Sequence, residues 1–188
     1  MTLDGVSSSL RNLLEMKYLE KYGGLDGFSF RVFTTEDFKP KTVNHVSLFL
    51  YRIDVDASRR HYEYSPTEDT AASVALGLHL HYILTVWSGN AIGEHLMLSR
   101  CIEILDEFAI ISGSLLAENA IWRDTDAIRI CMESMTNEDI LRLWDSFEPA
   151  YHLSIPYLIR PVRLTAIEKH ETPYVETYTN IYVPGASI

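Results

Sequence analysis

Cysteine is scarce: Cys101 and Cys131 are the two thiols in 188 residues. They cannot supply the several bridges that staple small secreted domains, and both fall in apolar-patterned segments, as buried free thiols do. Basic charge is also short, with 16 lysines and arginines against 26 acids and a net charge of -10. Such a chain is repelled by a phosphate backbone, so nucleic acid is not an expected partner. Long apolar runs are missing too. The strongest, 76–87, is too short to span a bilayer as a helix and contains His79 and His81, so no membrane anchor is expected. The first ten residues carry Asp4 and no base ahead of an apolar run, unlike a secretory signal. Neither a phosphate-binding glycine loop nor a dinucleotide fingerprint occurs. The glycine-rich stretch 23–27 follows a helical pattern rather than a strand and reads as a turn.

What is present is a hydrophobic content of 47%, enough for one well-buried core at this length and too little chain for two ordinary domains. Val6, Leu10, Leu13, Leu14 and Tyr18 recur at helical spacing, and Gly23-Gly24 stands where a left-handed cap would end the helix. Residues 28–34 and 43–55 read as strands. In the second, Val46, Leu48 and Leu50 share one face, while Phe49, Tyr51 and Ile53 share the other. The pattern then stops, and 56–73 reads as a long arm containing Arg59, Arg60, Tyr62 and Tyr64.

Leu76, Leu78, Leu80, Tyr82, Leu84 and Val86 alternate without a miss, a strand with one face wholly in a core and His79, His81, Ile83, Thr85 and Trp87 on the other. Ser88-Gly89-Asn90 opens a helix to about Phe108, with Leu98, Cys101, Ile102 and Leu105 as its apolar stripe. Residues 127–135 alternate again. Thr136 with Asp139 matches a capping box ahead of Ile140, Leu143, Trp144 and Phe147. From Tyr151 to Ile159 the chain alternates once more, but Pro156 and Pro161 cannot donate to a ladder, which predicts an edge or bulged strand. The expectation is a single α/β domain of the α+β kind over 1–165, a central mixed, mainly antiparallel sheet flanked by helices. An extended tail follows over 166–188, with Tyr174, Tyr178 and Tyr182.

For chemistry, the candidate set is His79 and His81, two apart on one strand face, with Glu94 and His95 at the next helix start. Such residues could hold zinc for hydrolysis. The competing reading has the imidazoles cover the less buried sheet face, with no metal or other cofactor. Ser99 and Ser112 lack a nucleophile elbow, and Asp54, Asp56, Glu68 and Asp69 lack the spacing of a calcium loop. A monomeric adaptor or immunity-type binding protein is a further alternative.

Four segments in order resemble the N-terminal-type domain of cap proteins from contractile injection systems, the phage-tail-like particles of bacteria. They are 46–52 with the arm at Arg59; 80–85; 94–100, beginning Glu94-His95; and Leu143-Trp144 leading into 151–157. The resemblance implies a tail-terminator fold and a structural, non-enzymatic role. It implies a six-fold ring of identical subunits on the distal end of the inner tube and outer sheath, stopping their polymerisation. Its partners would be sheath and tube subunits and itself. Assembly would take place in the bacterial cytoplasm, and the finished particle could be released or stay with the cell.

A lattice of exchanged strands leaves unpaired backbone at its last ring, and a cap must satisfy that edge without offering another. Strand addition would do so, with the arm residues Arg59, Arg60, Tyr62 and Tyr64 or the tail residues Tyr174, Tyr178 and Tyr182 as the contacts. The proline-marked strand from Tyr151 to Leu164 would be the edge where addition ends.

Overall fold

The computed structural model describes residues 2–39, 44–56 and 75–165. Helix α1 (Leu3–Tyr22) forms where the sequence repeats at helical spacing, and its stripe Val6, Leu10, Leu13, Leu14 and Tyr18 is buried. At about 25 cal/mol per Å², each of these side chains contributes roughly 1.5–3 kcal/mol of transfer free energy. The helix ends as expected at Gly23, whose φ of 75° is open to a residue without a Cβ, and whose amide donates to the Leu19 carbonyl at 3.0 Å.

Among the described residues six strands form one sheet: β1 (Ser29–Val32), β2 (His45–Val55), β3 (Ala75–Trp87), β4 (Ile110–Ser112), β5 (Ala127–Met132) and β6 (Ser154–Thr165), in the order β1-β2-β3-β6-β5-β4. The β1–β2 pair is parallel and every other pair antiparallel, which is the mixed, mainly antiparallel sheet read from the sequence. Helix α2 (Ala91–Glu107) lies with α1 on one face, over Leu80, Tyr82, Leu84, Ile128 and Ile159. The two helices are fastened to each other at their surface by Lys21 with Glu103 and Glu107, and by Tyr22 with Glu103. Helix α3 (Asn137–Trp144) covers part of the opposite face, where Trp144 joins Phe33, Phe38 and Trp87 in a second, aromatic cluster.

Caps read from the sequence are in place. Asn90 Oδ1 accepts from the Gly93 amide at 2.7 Å at the start of α2, and Thr136 Oγ1 accepts from the Asp139 amide at 3.1 Å at the start of α3. Four buried polar groups on the α3 side of the sheet pair with one another: the Trp87 indole donates to Ser47 Oγ at 2.8 Å, and Thr85 and Ser154 hydroxyls meet at 2.7 Å.

Three expectations need correction. First, β6 is not an edge; it runs between β3 and β5. Its prolines fit there for local reasons. The Pro156 carbonyl accepts from the Glu133 amide at 2.9 Å, so the donor it lacks would face the position just past the end of β5. Pro161 lies where the β3–β6 register shifts opposite His79. Second, the β2–β3 register shifts between Leu50 and Arg52. Tyr51 is the extra residue, and Ile53 returns to the helix-covered side opposite Leu80, leaving Arg52 and Asp54 with Phe49 on the other. Third, the strand expected from Tyr151 begins at Ser154, and β4 has no counterpart in the sequence reading.

Candidate interaction surface

The sheet outruns its helices. Strand β3 has 13 residues, about 43 Å at ~3.3 Å per residue, and with β2 and β6 it carries the ladder beyond the helical layer. At that end, on the helix side, Ile53, Val55 and Leu76 are 44%, 50% and 40% exposed. The arm springs from this end: Val55 closes β2, the Asp56 amide donates to the Gly77 carbonyl at 2.9 Å, and Ala75 opens β3.

On the other face the same strands carry a charged lattice. The imidazole of His81 is 3% exposed and opposite Leu158 of β6. Its Nε2 lies 3.0 Å from Asp54 Oδ2 and its Nδ1 lies 2.8 Å from Glu133 Oε2. Arg52 approaches the ring at 3.2 Å and reaches Asp54 at 3.1 Å and Glu133 at 3.7 Å. The Tyr51 hydroxyl donates to Glu133 at 3.1 Å, and burial followed by the Glu133 charge pushes its pKa well above the ordinary phenol value. His79 Nε2 lies 3.4 Å from Asp56 Oδ2. Arg52 and the two imidazoles are interleaved with the carboxylates of Asp54, Asp56 and Glu133, and these contacts tie β2, β3 and the chain after β5 together at the root of the arm.

The structure therefore separates the residues proposed as a zinc site. His79 and His81 face away from α2, while Glu94 sits in the first turn of that helix, on the far side of the sheet and past its Trp87 end. His81 to Trp87 alone spans about 20 Å of strand. Among the described residues no group of three or more histidines, cysteines, aspartates or glutamates is placed to hold a metal ion. Cys101 is buried in the α2 stripe, which pushes its thiol up to about 12 and makes it a poor nucleophile. Of the contact residues expected from the sequence, Arg59, Arg60, Tyr62 and Tyr64 in the arm, and Tyr174, Tyr178 and Tyr182 in the tail, lie outside the described residues. Asp54 and Glu133 had no signal beyond their place in alternating strands, because the register alone brings them to His81.

The family model of the Pvc16 N-terminal domain matches residues 5–177. This chain belongs to that family. Its fold is shared with the PVC sheath/tube terminator in the extended state, from an extracellular contractile injection system, at a TM-score of 0.65 and 15% identity. That match covers 100% of this chain and 65% of the other. The fold is likewise that of the tube-terminating cap of the anti-feeding prophage, at a TM-score of 0.62 and 18% identity, over 96% of this chain and 62% of that one. The Pvc16-type chain thus spans less than two thirds of either structure's length. No curated protein matches its sequence. The tail-terminator fold implied by the four sequence segments is the fold observed.

Proposed function

We propose that this chain is a structural cap of a bacterial contractile injection system, a non-enzymatic protein that closes the distal end of the inner tube and sheath and stops their growth. The observation that carries the reading is the Pvc16 N-terminal family match, running over the same residues that share the fold of two terminators. The finer picture is a ring of six identical subunits, assembled in the bacterial cytoplasm and carried on the finished particle. In it, residues 1–165 form the ring body and 166–188 a tail.

Physically, a cap must pair the last unpaired strands of a lattice and then present nothing that recruits more. The arm over 56–73 and the tail are suited to strand addition, with Arg59, Arg60, Tyr62 and Tyr64, or Tyr174, Tyr178 and Tyr182, as side-chain contacts. Since β6 is internal, termination is assigned to the sheet's two outermost strands. Both are short, four residues in β1 and three in β4, and a short edge is a poor template for another chain.

Imaging of particles made with and without this gene product tests the reading. Loss of the chain is expected to leave open or abnormally long tubes and sheaths; particles of normal length with closed ends would refute it. Deleting 172–188, or changing Arg59 and Arg60 to glutamate, then separates tail from arm as the main contact.

A further inference from the structure

On the face away from α1 and α2, Ile110 of β4, Arg129 of β5 and Arg160 of β6 stand in one cross-strand row. Arg129 and Arg160 are directly opposed, both exposed, and neither has an ion-pair or hydrogen-bond partner among the described residues. Like charges facing each other across a ladder cost stability. On a chain of net charge -10, two opposed arginines with no acid paired to them among the described residues are a feature that folding alone does not require. The register shift in β6 adds to the patch. It places Arg163 on the same face, opposite Gly77.

Beside this row the start of β5 and the end of β6 enclose a cleft of about 410 Å³. Arg129 and Arg163 line it together with Ile110, which is 52% exposed, and Pro161. One acid also lines it, Asp126, whose Oδ2 is occupied by the Arg123 amide at 3.0 Å. The site therefore combines an apolar wall with guanidinium groups whose planar forks match carboxylates in a bidentate manner.

We propose that this cleft and its arginine row are a docking site for an acidic, extended segment of a partner protein. The segment would lie across the sheet face with an apolar side chain against Ile110 and Pro161 and carboxylates on Arg129 and Arg160. Such a segment removes the repulsion between the two arginines as it binds, so part of its affinity comes from relieving a cost already present in the free chain. The assignment does not depend on the cap reading, since it rests on residues of β4, β5 and β6 and the turn before β5.

The full chain is titrated with acetyl-Glu-Leu-Glu-Glu-amide while the arginine Nε–H resonances are followed by NMR. Saturable shifts at Arg129 and Arg160 are expected, with none from the glutamine counterpart of the peptide. The pair Arg129→Gln and Arg160→Gln should weaken binding by about tenfold or more, the loss of at least one charge-assisted contact. The thermal midpoint of the double variant should hold or rise, because repulsion is removed. Unchanged peptide binding in the double variant overturns the proposal. So does a clear fall in its thermal midpoint, which would give the arginines a structural role. Tighter binding of a thymidine hexanucleotide at the same resonances would overturn it in favour of a phosphate polyanion.

Discussion

His81 Nδ1 lies 2.8 Å from Glu133 Oε2, a contact that passes over the intervening strand β6 and joins β3 to the chain after β5. With Asp54 on the other ring nitrogen, the imidazole bridges both flanks of β3 at the root of the arm. Replacing it leaves a hole and two carboxylates facing a cation short of one partner. His81→Ala is expected to cost about 2–4 kcal/mol in urea unfolding. Glu133→Gln keeps an acceptor and should cost about 1 kcal/mol. Equal effects of the two would mean that charge, rather than the bridging geometry, holds the lattice.

Gly5 in the first turn of α1 packs against the chain between β4 and β5, where an added Cβ would collide with the Ala120 side chain and crowd the Trp122 ring at 3.1 Å. Alanine is a better helix former than glycine by about 1 kcal/mol. The overlap should reverse that gain, so Gly5→Ala is expected to destabilise the fold by about 1–3 kcal/mol in chemical denaturation. A stabilised variant would show that the loop yields freely.

The parts of the fold legible in the sequence are those fixed by neighbours along the chain. Alternation in β3, the α1 stripe, the Gly23 cap and the Thr136–Asp139 cap each rest on residues within a few positions of one another. What escaped depends on register. A strand of three residues such as β4 is too short to show a period, and the bulge at Tyr51 shifts Ile53 to the other face without any local mark. Prolines in β6 suggested an edge because a missing donor is harmless there. It is equally harmless past the end of a shorter neighbour, which is what β5 provides. At the candidate surface, the shared face of His79 and His81 was legible from their spacing. Their carboxylate partners were not, since Asp56 and Glu133 reach them only through strand pairing.

Asp37 caps a short turn after β1. Its Oδ2 accepts from the Thr34 amide at 2.8 Å and from the Thr34 hydroxyl at 3.0 Å, and the backbone bond is the main reason its pKa lies below the ordinary aspartate value. A carboxyl depressed in the folded state takes up its proton more readily when unfolded. Its contribution is therefore complete above the unfolded value near ~3.9 and disappears as pH falls through the folded one. Asp37→Ala should lower stability by about 1 kcal/mol at neutral pH. The gap from the parent chain should close as unfolding is repeated at successively lower pH, below ~4. A gap that persists in acid would mean the residue acts through packing.

Tyr157 is buried beneath α2, and its hydroxyl finds no hydrogen-bond partner among the described residues. Burial also pushes its pKa well above the ordinary phenol range. A buried hydroxyl without a partner carries a desolvation cost of about 1–3 kcal/mol, and removing it keeps the ring and its contacts. Tyr157→Phe is expected to raise the thermal midpoint. A lowered midpoint would place a bonded water at that oxygen.

Ile53, Val55 and Leu76 stand exposed together where β2 and β3 pass beyond the helices, at the base of the arm. Exposed apolar clusters of this kind on a ladder end are suited to burial against another chain. Changing Ile53 and Val55 to threonine keeps β-branched shape and strand preference, so the unfolding free energy of the isolated chain should move by less than about 0.5 kcal/mol. If the cap reading is right and the arm root lies in a contact, the same variant should co-purify poorly with assembled particles. The fraction of particles with closed ends, counted in micrographs, should fall in step. Normal incorporation with unchanged stability would remove this end of the sheet from the interface and leave the arm or the tail to act alone.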